Sequence, residues 1–80
     1  MNYYVYALNS SDRNYIYVGL TNNIERRPQE HNSGRNKTTK PYAPFMLLLS
    51  EEYPDRKKAR EREIYLKSGI GKEFLKSLKK

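Results

Sequence analysis

The chain has 80 residues, no cysteine, and a formal net charge of +7, from 16 Lys and Arg against 9 Asp and Glu. So short a chain buries little core, which predicts one domain, residues 1–80, with its working site in a surface cleft. The lack of cysteine excludes disulfide staples and thiolate metal sites and is typical of a cytoplasmic protein. The charge predicts a phosphate-bearing partner such as DNA, and no apolar run is long enough to span a membrane.

The first elements are two strands. Residues 2–8 (NYYVYAL) and 15–20 (YIYVGL) are rich in aromatic and β-branched side chains, and turn residues separate them at 9–14. This pattern predicts an antiparallel hairpin. Because side chains alternate between the faces of a sheet, one face is expected to carry phenol rings while Ile16 and Val18 lie on the other. The tyrosines of these strands that share faces are Tyr4 with Tyr6 and Tyr15 with Tyr17.

A helix is predicted next, over about residues 23–32. Possible N-cap residues precede it, and Ile24, Arg27 and His31 recur at three- and four-residue spacing. Pro28 lies inside it and predicts a kink, a late helix start or a local bulge, because an interior proline costs about 3 kcal/mol. Residues 34–44 follow as a basic loop able to contact a charged partner. The loop residues assigned to nucleic-acid contact are Arg35, Lys37 and Lys40.

A third strand and two helices complete the chain. Residues 45–53 (FMLLLSEEY) predict a strand, and their apolar run indicates a central or well-covered position in the sheet. A helix is expected to begin at Pro54 and Asp55 and to end at Ser68 and Gly69, with Ala59, Arg62/Glu63 and Leu66 recurring at helical spacing, before a short helix at about 71–78. The order β-β-α-β-α-α predicts an α+β fold with a small three-stranded antiparallel sheet flanked by helices.

The residue inventory excludes several kinds of catalytic site. A single histidine and no cysteine exclude the usual zinc ligand sets, and no Ser-His-Asp triad or Gly-rich phosphate loop can be assigned. Tyrosine, arginine, one or two carboxylates and a hard cation remain for chemistry on a phosphodiester. Mg²⁺ commonly binds one carboxylate together with waters and substrate phosphate. This inventory indicates a one-metal nuclease.

The ordered motifs of the chain resemble those of a known nuclease family. The tripeptides YVY (4–6) and YVG (17–19) resemble the paired tripeptides of the GIY-YIG nuclease superfamily. The chain is most similar to small stand-alone bacterial members related to the N-terminal nuclease domain of the excision-repair nuclease. The resemblance implies the GIY-YIG fold and a metal-dependent endonuclease acting on DNA, with a place in DNA repair. It continues in order through TN (21–22), IERR (24–27), HNSG (31–34), TK (39–40) and REIYLKSG (62–69).

The resemblance also implies a role for each site residue, with Mg²⁺ or Mn²⁺ as cofactor. Tyr17 would help deprotonate the attacking water, and Tyr6 would line the site and hydrogen-bond within it. Arg27 would hold the scissile phosphate, and His31, on the same helix face, would assist proton transfer or bind phosphate. Glu63 would be the only protein carboxylate on the metal.

Further residues bear on this assignment. Gly19 is expected to let the backbone approach phosphate closely. Glu61 is a competing carboxylate, but only Glu63 keeps the family spacing. The ordinary alternative for Glu63 is a surface pair with Lys67, worth roughly 0.2–0.5 kcal/mol. The lysines of the last helix and tail are interpreted as a solubilising face that adds sequence-independent affinity: Lys72, Lys76, Lys79 and Lys80.

Other functions stay open at this point. Leu20 and Pro28 depart from the family pattern, which favours as an alternative a DNA- or RNA-binding module that keeps the fold but cleaves weakly or not at all. A basic adaptor for a larger protein has less support, since no helix is predicted to expose an apolar docking face. A chain this small predicts non-specific or structure-specific action on DNA, with a partner protein or a homodimer as a possible source of specificity.

Overall fold

The computed structural model describes residues 2–24 and 39–79. The predicted α+β class is confirmed: an antiparallel sheet is followed by two helices. Beyond residue 24, the helix predicted over 23–32 lies outside the described residues. The elements are β1 (Tyr3–Ser10), β2 (Ile16–Thr21), a 3₁₀ helix (Lys40–Tyr42), β3 (Phe45–Tyr53), α1 (Arg56–Lys67) and α2 (Gly69–Ser77).

The sheet has the order β2-β1-β3, with β1 in the centre. β1 pairs with β2 so that Tyr6 lies opposite Gly19 and Leu8 opposite Tyr17, which confirms the predicted hairpin. β1 also pairs with β3, with a shift in register between Ala7 and Leu8. Two ladders of hydrogen bonds therefore hold β1, whereas β2 and β3 each have one edge that pairs with no strand of the described residues.

The central or covered position predicted for β3 is wrong. The strand lies at an edge of the described sheet, and Met46 and Leu47 are 67% and 53% exposed. The apolar run had suggested coverage of both faces, but β1 takes the centre and four of its successive residues, from Val5 to Leu8, are buried. An apolar run of this length predicts a strand, but it does not determine whether that strand lies at the centre or at the edge of the sheet.

The two faces of the sheet carry separate cores. On one face Val5, Ala7 and Val18 pack with residues of the two helices, and Ile16 packs at the margin. On the other face Tyr6, Leu8 and Phe45 form a second cluster. Tyr15 and Tyr17 pack against this cluster beside Tyr6, so the predicted face of phenol rings is confirmed for these three residues. Tyr42 of the 3₁₀ helix packs there as well.

Caps set the ends of α1 and α2. The Asp55 side chain accepts a hydrogen bond from the Lys58 amide at 2.9 Å, as an N-cap residue does. Ser68 serves both helices: its amide donates to the Tyr65 carbonyl oxygen at 3.0 Å, and its hydroxyl accepts from the Gly71 amide at 3.2 Å. The predicted stop at Ser68 is confirmed, and this shared cap lets α2 begin at Gly69, two residues earlier than predicted.

The outer surface of α2 departs from expectation. Ile70, Phe74 and Leu78 recur at four-residue spacing and are 72%, 37% and 36% exposed. The expectation that no helix exposes an apolar face is therefore wrong for this helix. Neither α1 nor α2, nor any other helix in residues 2–24 and 39–79, is long and apolar enough to cross a membrane.

Candidate active site

Tyr6 and Tyr17 meet on the aromatic face of the sheet. The pairing of β1 with β2 places them on adjacent strands, with ring centroids 6.1 Å apart and ring planes inclined by 42°. Tyr6 is only 2% exposed, whereas Tyr17 is half-buried. The structure therefore brings the two predicted tyrosines together and leaves Tyr17 as the one that solvent reaches.

Gly19 provides the space in which these rings meet. A Cβ atom added there would lie 2.6 Å from Cζ and Oη of Tyr6 and 2.9 Å from Cε2 of Tyr17. Any side chain would thus overlap the Tyr6 ring, which lies across the glycine. The packing of the Tyr6 ring therefore explains why the YVG tripeptide has glycine at its third position. Contact between Gly19 and nucleic acid stays a prediction.

Glu63 is held on the inner stripe of α1. Ala59, Glu63 and Leu66 are the buried residues of this helix, which confirms the predicted spacing and selects Glu63 over Arg62 as the buried residue. The Glu63 side chain is 7% exposed, and both of its oxygens contact cations: Oε1 lies 2.6 Å from Arg60 Nη1, and Oε2 lies 3.2 Å from Lys67 Nζ. Glu61, the competing carboxylate, is exposed.

The tyrosines and Glu63 approach from different faces of the sheet. Ala59 and Leu66 pack on the face that carries Val5 and Val18, so α1 lies opposite the tyrosine pair. A cleft of about 520 Å³ follows the outer edge of β2, and both Tyr17 and Lys67 line it. Lys67 also pairs with Glu63. The outer edge of β2 is therefore where groups from the two faces meet.

Tyr15 borders the same cleft and stabilises its aromatic wall. Its ring stacks on Tyr42, with centroids 4.0 Å apart and planes 17° apart, and it contacts Phe45 at a tilted angle. Burial raises the pKa of the Tyr15 hydroxyl above its ordinary value, and the neighbouring phenols Tyr42 and Tyr17 raise it further. Tyr15 is therefore suited to packing as a neutral ring rather than to giving up its proton.

The GIY-YIG catalytic domain family matches residues 2–74, which is most of the chain. The chain belongs to the GIY-YIG family. Membership indicates a nuclease, and the matched range includes both tyrosine tripeptides.

Relatives of this GIY-YIG chain share the name UPF0213. The chain is 41% identical over 66 residues to a UPF0213 protein of Nitratidesulfovibrio vulgaris, a match that covers 81% of this chain and 59% of that protein. It is 38% identical to one from Clostridium perfringens, over 80% of this chain and 69% of that protein. The solution NMR structure of a UPF0213 protein from Bacillus halodurans is similar, with a TM-score of 0.59 and 38% identity over 99% of this chain and 86% of that one.

Several predicted site residues of the GIY-YIG chain lie outside the described residues. Arg27 and His31 are among them, and so are Pro28, Arg35 and Lys37. Their roles, and the kink or bulge at Pro28, stay predictions. Lys40 lies within the described residues. It is exposed at the start of the 3₁₀ helix whose last residue, Tyr42, stacks on Tyr15.

The carboxylate of Glu63 is the group of the GIY-YIG site that we consider as a cation ligand. Residues 2–24 and 39–79 contain no group of three or more His, Cys, Asp or Glu side chains placed to hold a metal ion. A cation held at Glu63 would take its other ligands from water and substrate phosphate, as Mg²⁺ does in phosphoryl-transfer sites. The oxygen donor fits Mg²⁺ or Mn²⁺, provided that Arg60 or Lys67 releases one carboxylate oxygen.

Three lysines of the cleft were missed as site residues by reasoning from the sequence. Lys67 had been considered only as a surface partner of Glu63, and Lys72 and Lys76 as part of a solubilising face that adds sequence-independent affinity. In the structure all three line the cleft with Tyr17. Lys72 and Lys76 lie four residues apart in α2, which indicated a shared helix face. Only the packing of α2 beside β2 shows that this face borders the cleft.

Proposed function

We propose that this chain is a divalent-metal-dependent endonuclease that hydrolyses DNA phosphodiester bonds. The observation that supports the proposal most is the convergence of Tyr6 and Tyr17 over Gly19, beside a cleft lined by lysines, in a chain of the GIY-YIG family. An exposed cleft suits a phosphodiester that belongs to a long polymer. Non-specific or structure-specific action is the substrate preference we propose.

In the proposed reaction, Tyr17 assists removal of a proton from the attacking water. The water oxygen bonds to phosphorus while the bond from phosphorus to one ester oxygen breaks, and a proton reaches the leaving oxygen. Tyr6 keeps Tyr17 in place, since the two rings pack together and Tyr6 is buried. The family resemblance assigns the phosphate to Arg27 and proton transfer or phosphate binding to His31.

Glu63 is the proposed ligand of Mg²⁺ or Mn²⁺. When bound, such a cation offsets developing negative charge on the phosphate and acidifies a coordinated water. The buried position of Glu63 fixes its carboxylate, while its partners Arg60 and Lys67 have side chains that are 59% and 52% exposed. Because both cationic side chains lie largely in solvent, they can move away from the carboxylate when a divalent cation and a phosphate bind.

A cleavage panel tests this proposal. Wild type is incubated with supercoiled, nicked, single-stranded and branched DNA in Mg²⁺, in Mn²⁺ or in a chelator. We expect metal-dependent cleavage of at least one form, and a loss of about 100-fold or more in Tyr17→Phe, which keeps the ring but not the hydroxyl. Tyr3→Phe, on the opposite face of the sheet, is the matched control. Failure of wild type to cut any of these DNAs, or full activity in Tyr17→Phe, would refute the proposal.

One observation favours a second candidate, a nucleic-acid-binding module with little or no cleavage activity. Both oxygens of Glu63 already contact cations, which is the arrangement of a structural ion-pair cluster. Salt-sensitive DNA or RNA binding without cleavage in any metal, unchanged in Glu63→Gln, would support this candidate over the nuclease.

A further inference from the structure

The cleft beside β2 concentrates positive charge next to Tyr17. Its volume is about 520 Å³, and one wall is formed by lysines from the end of α1 and from α2. Leu75, which is fully buried, anchors α2 to the core and so fixes the position of this wall. The side chains that form the cationic wall are Lys67, Lys72 and Lys76.

The opposite wall consists of β2, which offers rings and backbone amides. Tyr15 and Tyr17 line the cleft from the aromatic face of the sheet. The Ser10 amide donates to the Tyr15 carbonyl oxygen at 2.9 Å. Since hydrogen-bonded pairs alternate in an antiparallel ladder, the amides of Ile16 and Val18 point away from β1 toward the cleft.

Existing ion pairs leave the lysines available to a ligand. Lys76 pairs with Glu73 at 3.6 Å, but both side chains are more than half exposed, so the pair is weak. Lys72 forms no ion pair with any residue in 2–24 or 39–79. Lys67 is shared between the cleft and Glu63.

We propose that this lysine cleft binds the phosphodiester backbone of the DNA strand that flanks the phosphate to be cut. Lysine ammonium groups and outward amides bind phosphate oxygens, and the tyrosine rings on the other wall suit the bases of an unpaired strand. The proposal rests on the proposed function, because Tyr17 defines which phosphate is cut. An acidic peptide would use the lysines alone, without the rings.

The test is binding of a fluorescein-labelled single-stranded DNA of mixed sequence, followed by anisotropy in a chelator over a range of salt concentrations. The variant is Lys72→Gln/Lys76→Gln. The matched control is Lys57→Gln/Lys58→Gln, which removes the same charge from exposed positions outside the cleft. A single strand loses about 0.7 in the slope of log K against log salt for each phosphate contact removed.

We expect the Lys72→Gln/Lys76→Gln slope to fall in magnitude by about 1.4 and affinity to fall on the order of tenfold at low salt, with the control close to wild type. Glu73→Gln is expected to bind DNA more tightly than wild type, because it releases Lys76 and removes a negative charge. Equal losses in the two double variants, or displacement of DNA by polyglutamate at equal charge concentration, would overturn the proposal.

Cleavage distinguishes this inference from the proposed function. If the Lys72→Gln/Lys76→Gln loss of binding appears but wild type cuts no DNA in any metal, DNA binding by the cleft stands and the nuclease proposal fails. If wild type cuts DNA but this variant keeps wild-type affinity and KM, the nuclease proposal stands and the cleft proposal fails.

Discussion

Gly19 occupies the position where a single added carbon would most directly disturb the tyrosine pair. Tyr6 fills the space above it, and because Tyr6 is buried among Leu8 and Phe45 its ring has little room to move. Sequence reasoning singled out this glycine through its tripeptide but assigned it to phosphate. The ring that requires it could not be foreseen, because the pairing of Tyr6 with Gly19 depends on the register of two strands.

The first prediction concerns Gly19→Ala. The new methyl group would push the Tyr6 ring away, and overpacking of this kind costs typically about 1–3 kcal/mol. We expect a lower free energy of unfolding in urea, and a larger fractional loss of DNA cleavage than the loss of folded protein explains. Wild-type stability together with wild-type cleavage would show that the rings adjust freely and that their contact is not needed.

Glu63 shows what sequence could and could not establish about a site residue. Its helical spacing with Ala59 and Leu66 predicted the inner stripe of α1 on which it lies. The sequence also suggested its pairing with Lys67, which the structure contains at 3.2 Å. The contact to Arg60 is an i, i+3 pair within α1 that the helical spacing also allows. Only the link through Lys67 to the cleft depends on the packing of α1 against β2.

At the scale of elements, the junction between α1 and α2 relies on a close backbone approach at Gly71. A Cβ atom there would lie 2.1 Å from the Tyr65 carbonyl oxygen and 2.5 Å from the Leu66 Cα atom. Both neighbours are backbone atoms of α1, so no side-chain rotation relieves the overlap. Gly71 thus holds α2 against α1 and sets the angle at which the lysine wall meets β2.

The second prediction compares two glycines of α2. Gly71→Ala is expected to destabilise the protein by about 3 kcal/mol or more, since the helices must separate. Gly69→Ala is the control: nothing lies within 4 Å of its added Cβ, so no neighbour has to move and no loss of stability is expected. Thermal unfolding measures both, and equal midpoints for the two variants would contradict the assigned close approach.

A second link joins β3 to the helices. Arg62 donates to both oxygens of Glu51, from Nε at 2.8 Å and Nη2 at 3.2 Å, and Tyr53 donates to Glu51 at 2.9 Å. The Arg62 guanidinium also lies over the rings of Tyr65 and Phe74. The hydrogen bond to Glu51 raises the pKa of Arg62. Sequence predicted β3 and α1 within a residue or two, but not this contact between them.

The third prediction uses Tyr53 to test that link through pH. Burial raises the pKa of Tyr53, and the hydrogen bond to Glu51 raises it further. The folded state therefore holds this proton more tightly than the unfolded state does, so the stabilisation is complete below about pH 10 and is lost as pH rises through the folded-state pKa.

Urea unfolding of wild type and Tyr53→Phe at several pH values measures this effect. We expect Tyr53→Phe to be less stable by about 1 kcal/mol near neutral pH, and the difference to shrink above about pH 10. Lysine deprotonation affects both proteins alike and cancels in the comparison. A difference that stays constant across this range would contradict the role of the Tyr53 proton.

On the scale of the whole molecule, the net charge is +7, and three of the lysines that contribute to it line the cleft beside β2. The sequence predicted a phosphate-bearing partner from charge alone and identified a resemblance to a nuclease family from the order of its motifs, and the family is confirmed. It could not predict that the lysines of α2 lie beside Tyr17, because that neighbourhood depends on how α2 packs against β2 rather than on any local pattern. β3 was misplaced for the same reason.

The most direct test of the central claim is single-turnover DNA cleavage in Mg²⁺ by Glu63→Gln and Glu61→Gln beside wild type. Glu63→Gln keeps the shape of the side chain, and its exposed partners Arg60 and Lys67 can be hydrated, so the variant is expected to fold. We predict a loss of about 100-fold or more for Glu63→Gln that excess metal only partly restores, with Glu61→Gln within about twofold of wild type. Equal cleavage by Glu63→Gln and wild type would contradict a metal-binding role for Glu63.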